Sequence, residues 1–237
     1  MALFTLSDTH LSLTTGKPMD IFGARWRGHD RKIETEWNRL VKAEDTVVVG
    51  GDVSWGISLE EAREDLFFLD RLPGKKILLK GNHDYWWSTQ KKVTDFFAAN
   101  GIGSLFLLQN NSYLCEGMAL CGTRGWYSDA GNAPEESDYR KIVAREAARL
   151  KLSLDSVSDP VPEKLVFMHF PPLFENYICR PLIDLLHEYR VTRCYFGHIH
   201  GVYALPPVTL FEGIAFHLVS ADYLNFIPLP ISPTPDR

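Results

Sequence analysis

No apolar run in the sequence approaches the roughly 18 residues that a membrane-spanning helix needs, so no membrane partner is expected. The first ten residues have no basic start and no long apolar stretch, and Asp8 already interrupts them. No secretory signal is therefore expected, and a cytoplasmic location is. Cysteine is scarce: Cys115, Cys121, Cys179 and Cys194 are the four, and none forms a Cys-x-x-Cys pair. They read as reduced, mostly buried thiols rather than a disulfide framework. Positive charge is also short, with 25 Lys and Arg against 30 Asp and Glu and a formal net charge of -5. That balance argues against nucleic acid as a partner, although it leaves room for a local basic groove. Internal repeats and low-complexity segments are absent.

What is present is a globular composition, 45% hydrophobic and 23% charged over 237 residues, enough for one domain with a sizeable core. The expected domain covers residues 1–227, followed by a loosely held tail, 228–237, with four prolines. Strands are expected at Leu3 to Ser7, Thr46 to Val49, Ile77 to Leu79, Leu165 to Met168 and Cys194 to Phe196. Helices are expected over about 30–42, 88–99, 134–152 and 180–189. Another begins at a Ser58/Glu61 capping box and stops at Pro73-Gly74. Two or three short strands fill 105–121, with turns at Asn110-Asn111 and Glu116-Gly117. Val208 to Phe211 and Ala215 to Val219 read as a closing hairpin. Strands alternate with helices first and cluster later. This predicts an α/β fold, a four-layer α/β/β/α sandwich of two mixed sheets flanked by helices.

In α/β sheets ligands sit beyond the carboxyl ends of the strands. The five expected strand exits read Asp8-Thr9-His10, Gly50-Gly51-Asp52, Gly81-Asn82-His83-Asp84, His169, and Gly197-His198-Ile199-His200. Singly these carry little weight, because a strand-end aspartate is commonly a cap or turn residue. Jointly, five exits that all carry Asp, Asn or His point to a metal centre.

This ordered set, spanning positions 8 to 200, resembles the calcineurin-like metallophosphoesterase superfamily. The stretches Gly51-Asp52-Val53-Ser54-Trp55 and Asn82-His83-Asp84-Tyr85-Trp86-Trp87 are most similar to a bacterial branch of predicted phosphohydrolases. The resemblance implies that Asp8, His10, Asp52 and His200 hold one metal ion. It implies that Asp52, Asn82, His169 and His198 hold the other, with Asp52 bridging. His83 would act on the substrate instead of binding metal.

The chemistry agrees. Two divalent ions roughly 3.5–4 Å apart that share a water lower its pKa from about 15.7 towards about 7. Hydroxide is then available for in-line attack on phosphorus. The two ions outweigh two carboxylates and a hydroxide by one positive charge, which favours an anionic substrate. Mixed imidazole and carboxylate ligands suit Mn, Fe, Zn, Co or Ni, with manganese favoured here. The leaving alkoxide needs a proton, and His83 has a suitable intrinsic pKa to give it. Asp84 either orients His83 or caps the next segment.

Protein serine/threonine phosphatases of that superfamily carry Gly-Asp-x-x-Asp-Arg-Gly. Here Trp55 and Gly56 replace the second aspartate and the phosphate-gripping arginine, so a protein-phosphatase role is not expected. Candidates for gripping phosphate are Arg124, between two glycines at a strand exit, His29 in a glycine-bearing loop, and Arg25. His187 and His217 read as structural, and Trp86 and Trp87 as packing residues. The expected substrate is a phosphorylated small molecule or nucleotide, a monoester or a diester. The alternatives are a nuclease with the same chemistry and a metal-free interaction scaffold, which the intact ligand set disfavours.

Overall fold

A computed structural model describes residues 1–127, 135–158 and 160–234. The chain opens on β1 (Leu3–Leu6), buried throughout. Two short 3-10 turns, Met19–Phe22 and Ala24–Trp26, lead into α1 (His29–Leu40), which buries Ile33 and Trp37 on its inner face. β2 (Thr46–Val49) precedes α2 (Leu59–Arg71). The Ser58 hydroxyl accepts the Glu61 N–H at 3.3 Å, and the Glu61 carboxylate accepts the Ile57 N–H at 3.1 Å. The capping box therefore closes one residue before its usual partner. β3 (Lys75–Leu78), α3 (Gln90–Ala99) and β4 (Leu105–Leu107) follow. β5 (Tyr113–Cys115) and β6 (Met118–Thr123) form a hairpin. Its turn residues Glu116 and Gly117 have φ of 49° and 74°, as the twist of a two-residue connection demands. Next come α4 (Glu136–Asp155), β7 (Glu163–Met168), a small hairpin of β8 (Leu173–Phe174) and β9 (Tyr177–Ile178), and α5 (Arg180–Glu188). The chain ends on β10 (Arg193–Phe196), β11 (Thr209–Phe211), β12 (Ile214–Leu218) and β13 (Leu229–Ile231).

The first sheet has the order β13-β1-β2-β3-β4, and the second β11-β12-β10-β7-β6-β5. β1 to β4 run parallel, as do β6, β7, β10 and β12, while β13, β11 and β5 add antiparallel edges. Alternation along the apolar strands builds the layers. Val48, Ile77, Leu165 and Phe167 point between the sheets. Their neighbours Val47, Val49 and Leu78 face the helices of the first half, and Val166 and Met168 those of the second. An apolar run is needed because both faces of each sheet are covered. The sheets are stitched at their carboxyl ends: the Ser7 N–H donates to the Val219 carbonyl and the Ala221 N–H to that of Ser7, both at 2.8 Å.

The expected four-layer sandwich is the observed one. Two details differ. Leu229–Ile231, inside the segment expected to be loosely held, is an edge strand on β1. Pro230 is tolerated there because an edge strand has one unpaired side. The β8–β9 hairpin was not anticipated, since two-residue strands leave no periodic signal. The helix start expected at Pro134, and residues 235–237 of the tail, lie outside the described residues.

Lys76 is 0% exposed, and its ammonium donates to the carbonyls of Asp70, Leu72 and Gly74 at 3.2, 2.5 and 2.9 Å. It thereby satisfies acceptors left over at the end of α2. Lys76→Met keeps the stem and strands these carbonyls. The expected loss is about 1–3 kcal/mol, read as a lower denaturant midpoint with unchanged helix content. An unaltered midpoint would remove this role.

Candidate metal centre

Parallel strands deliver their exits to one rim, and the stitched sheets bring two rims together. Asp8 and His10 follow β1, Asp52 follows β2, Asn82 follows β3, His169 follows β7, and His198 and His200 follow β10. The local backbone is costly: Asp8, His10, Asp52 and His198 have φ of 59°, 44°, 50° and 69°. Left-handed non-glycine residues each cost of order 1 kcal/mol or more. Four at one rim indicate that side-chain placement, not backbone preference, decides this conformation.

Two groups of donors result. Atoms of Asp8, His10 and His200 lie within 4.8 Å of one another, and so do those of Asp52, His169 and His198. Nε2 of His10 is 3.3 Å from Nε2 of His200. Nε2 of His200 is 3.5 Å from Asp8 Oδ1. Asp52 Oδ2 stands between the groups, 3.7 Å from His10 Nε2 and 3.5 Å from His169 Nε2. Asn82 Oδ1 is 2.7 Å from His169 Nε2. Outer contacts fix the rings. His169 Nδ1 meets the Gly50 carbonyl at 3.2 Å, and His200 Nδ1 meets Asp222 Oδ1 at 2.8 Å. Each leaves Nε2 facing the rim, the arrangement seen in metal-binding imidazoles.

Electrostatics point the same way. Burial lowers the pKa of His10 well below its ordinary value and that of His169 to about 3, so both rings are neutral and offer a lone pair. Burial opposes charge on Asp8, but its contact with His200 and the attraction of His169 hold the carboxyl far down. Burial, then repulsion by Asp8 and Asp84, pushes Asp52 well above the carboxylate range. Burial also opposes charge on His200, yet hydrogen bonds to Asp222 and Asp8 raise it to about 10. Two buried carboxylates that resist joint ionisation, beside the neutral rings of His10 and His169, fit divalent cations, which would take the place of the proton that Asp8 and Asp222 hold on His200.

Beside the donors is a cavity of about 270 Å³ lined by His10, Asp52, His83, His198 and His200, with Trp26 and Trp55 among its walls. Trp55 stacks on His10 with ring centres 5.0 Å apart and lies 4.4 Å from His83. The His83 N–H donates to Asp52 Oδ1 at 2.7 Å.

Other expected residues fall elsewhere. Asp84 is wholly buried and has no hydrogen bond to the His83 ring among the described residues. Its oxygens accept N–H groups of Val53, Ser54 and Gly81 at 2.8, 3.3 and 2.8 Å and the Trp86 indole at 2.9 Å. Asp84 thus clamps the loop after β2 to the loop after β3, and of its two expected roles these contacts match the cap and not the orientation of the His83 ring. His29 is 8% exposed and its Nε2 lies 3.2 Å from the His10 carbonyl, where it supports that strand exit from behind. Arg25 donates to the Asp222 carbonyl at 2.9 Å and packs on Tyr203. Arg124 lies beside the donors but outside this cavity, its carbonyl accepting the N–H groups of His169 and Phe170 at 3.2 and 2.8 Å. Trp86 and Trp87 pack, at 2% and 5% exposure. His187 pairs with Glu212, and His217 stacks on Tyr195. Sequence reasoning missed Asp222. Its signal was present, because it stands just past the exit of β12, next to β10 in the second sheet.

Fold and site together define an α/β/β/α sandwich with a candidate metal centre on the rim its strands share. The sequence model of the calcineurin-like phosphoesterase family matches residues 1–202, and the chain belongs to that family. It is accordingly a metal-dependent phosphoesterase. No curated protein matches. Among solved structures, the protein of unknown function AQ665 from Aquifex aeolicus is similar over 97% of this chain and 95% of its own, at 16% identity and a TM-score of 0.51. The protein TT1561 of Thermus thermophilus is similar over 93% of this chain and 89% of its own, at 9% identity and a TM-score of 0.53. At these identities the likeness is one of fold. Among the described residues no helix is long and apolar enough to cross a membrane.

Proposed function

We propose that the protein hydrolyses a phosphate monoester or diester of a small molecule or nucleotide at a dinuclear centre. Asp8, His10, Asp52 and His200 hold one ion and Asp52, Asn82, His169 and His198 the other. Manganese is the favoured metal, and the four free, buried cysteines favour a cytoplasmic setting. The observation that carries the reading is the position of Asp52 Oδ2 between His10 and His169. When bound, the ions neutralise phosphoryl charge and acidify water for in-line attack. The chain's residues do the rest. His169 and His200 are oriented from behind by Gly50 and Asp222. The apolar faces of Trp26 and Trp55 limit water around the ester. His83, on the cavity wall, gives a proton to the departing alkoxide.

Protein reconstituted with Mn is expected to bind two ions per chain. It is expected to hydrolyse p-nitrophenyl phosphate, bis-p-nitrophenyl phosphate or both, and to lose that activity on chelation. Fewer than one ion per chain by elemental analysis would sink the dinuclear assignment. A trapped phosphorylated side chain would contradict direct attack by water.

A further inference from the structure

A second cavity, of about 310 Å³, adjoins the metal centre and is lined by Lys80, Thr123, Arg124, Arg145, Glu146 and Arg149 among others. Its cations come from three directions. Lys80 follows β3 and directly precedes Gly81 and Asn82. Arg124 follows β6, with its carbonyl on the His169 N–H at 3.2 Å. Arg145 and Arg149 stand four residues apart on α4 and so share a face. One carboxylate meets the three arginines. Glu146 is completely buried and accepts the Thr123 hydroxyl at 2.8 Å and an Arg149 N–H at 2.7 Å. Arg145 and Arg124 lie 3.8 and 3.9 Å from the same Glu146 oxygen.

Along the cavity wall four cations face one carboxylate, an excess of three positive charges that Asp52 behind Arg124 and Asp84 behind Lys80 only partly offset, in a chain whose net charge is -5. Lys80 donates to the Trp87 carbonyl at 3.3 Å, a neutral acceptor. The Arg124 Nε is buried without a hydrogen-bond partner among the described residues. Like charges gathered in a concave, partly desolvated place repel unless an anion joins them. Glu146 is too small a counter-charge to neutralise the cluster, but it anchors the guanidinium groups. Guanidinium forks around an open volume are suited to the oxygens of a phosphate.

We propose that this cavity is the subsite for a second phosphoryl group, so that the substrate is a small molecule carrying two phosphates. The inference rests on the phosphoesterase reading of the adjoining centre. One phosphate ester lies at the metal ligands and the other is gripped by Lys80, Arg124, Arg145 and Arg149. Water adds to the first phosphorus, its P–O ester bond breaks, and the alkoxide takes up a proton. The second phosphate departs unchanged on the alcohol.

The test has two arms. In the first, kcat/KM is measured for sugar and nucleoside bisphosphates against the matching monophosphates, with p-nitrophenyl phosphate as a one-phosphate control. Wild-type protein is expected to prefer at least one bisphosphate by about tenfold or more, and Arg149→Gln and Lys80→Gln are each expected to bring that ratio towards unity. In the second, pyrophosphate is titrated calorimetrically into chelator-treated, metal-free protein. The wild type is expected to bind it, with affinity reduced about tenfold in each variant. Thermal unfolding confirms that the variants are folded, and two substitutions on different elements guard against the loss of one. An enzyme active on p-nitrophenyl phosphate with no bisphosphate preference overturns the subsite while leaving the phosphoesterase reading intact. If no ester is hydrolysed, the reading of the centre fails and the calorimetry decides the subsite: variant-sensitive binding upholds it, and no binding overturns it.

Discussion

Gly81→Ala is expected to empty the centre of metal and to cut turnover by at least about 10²-fold. A Cβ on Gly81 would lie 2.1 Å from Asp52 Oδ1 and 2.2 Å from the Asp52 backbone nitrogen. Neither side can yield cheaply. The Gly81 N–H is held by Asp84 at 2.8 Å, and the same carboxylate holds Val53 and Ser54 just after Asp52. Asp52 is itself in the left-handed region at φ 50°. Relief must come from moving Asp52, backbone and carboxylate together, and its carboxylate is the group placed between both donor sets. The overpacking itself costs about 1–3 kcal/mol, so a folded protein with a broken site is the expected state. Gly103→Ala is the control, because a Cβ there meets nothing within 4 Å. Ions per chain and kcat are measured for both variants. Full metal content and normal turnover in Gly81→Ala would remove Asp52 from its bridging position.

His83→Ala is expected to keep both ions and to lose about 10²–10⁴ in turnover on esters with poor leaving groups. His83 touches the centre through its backbone, while its ring faces the cavity beside Trp55. Burial, then the nearby charge of Lys17, lowers its pKa, so a proton on this ring is given up readily. The defect is expected to shrink with p-nitrophenolate, which leaves without protonation. His169→Ala is expected to differ. Removing a ring held between Gly50 and Asn82 lowers metal affinity by about 10-fold or more and impairs good and poor leaving groups alike. A His83 variant that loses metal, or that is equally impaired on both kinds of ester, would end the proton-donor assignment.

The two experiments separate what a linear sequence carries from what folding adds. The donors were legible because each follows a short apolar strand, and parallel strands must bring their exits to one rim. The two-layered core was legible for a related reason: runs such as Val47-Val48-Val49 are apolar on both faces, which only a covered sheet allows. Partner choice was not legible. Asp84 could have met His83 or the backbone beside Asp52, and sequence spacing does not rank those options. The loops cross so closely that three backbone N–H groups reach Asp84 first. His29 looked like a loop histidine until α1 placed it behind His10. Asp222 gained its contact with His200 because β12 pairs with β10, a register set by the sheet. The sequence by itself determined the candidate donor types, their order and the layered core, because these depend on local composition and strand length. Only the tertiary structure decided which side chains support them, and that it gathers Lys80, Arg124, Arg145 and Arg149 around one cavity. That cavity wall draws on residues up to 69 positions apart, from Lys80 to Arg149, and such separations close only when β3, β6 and α4 have packed.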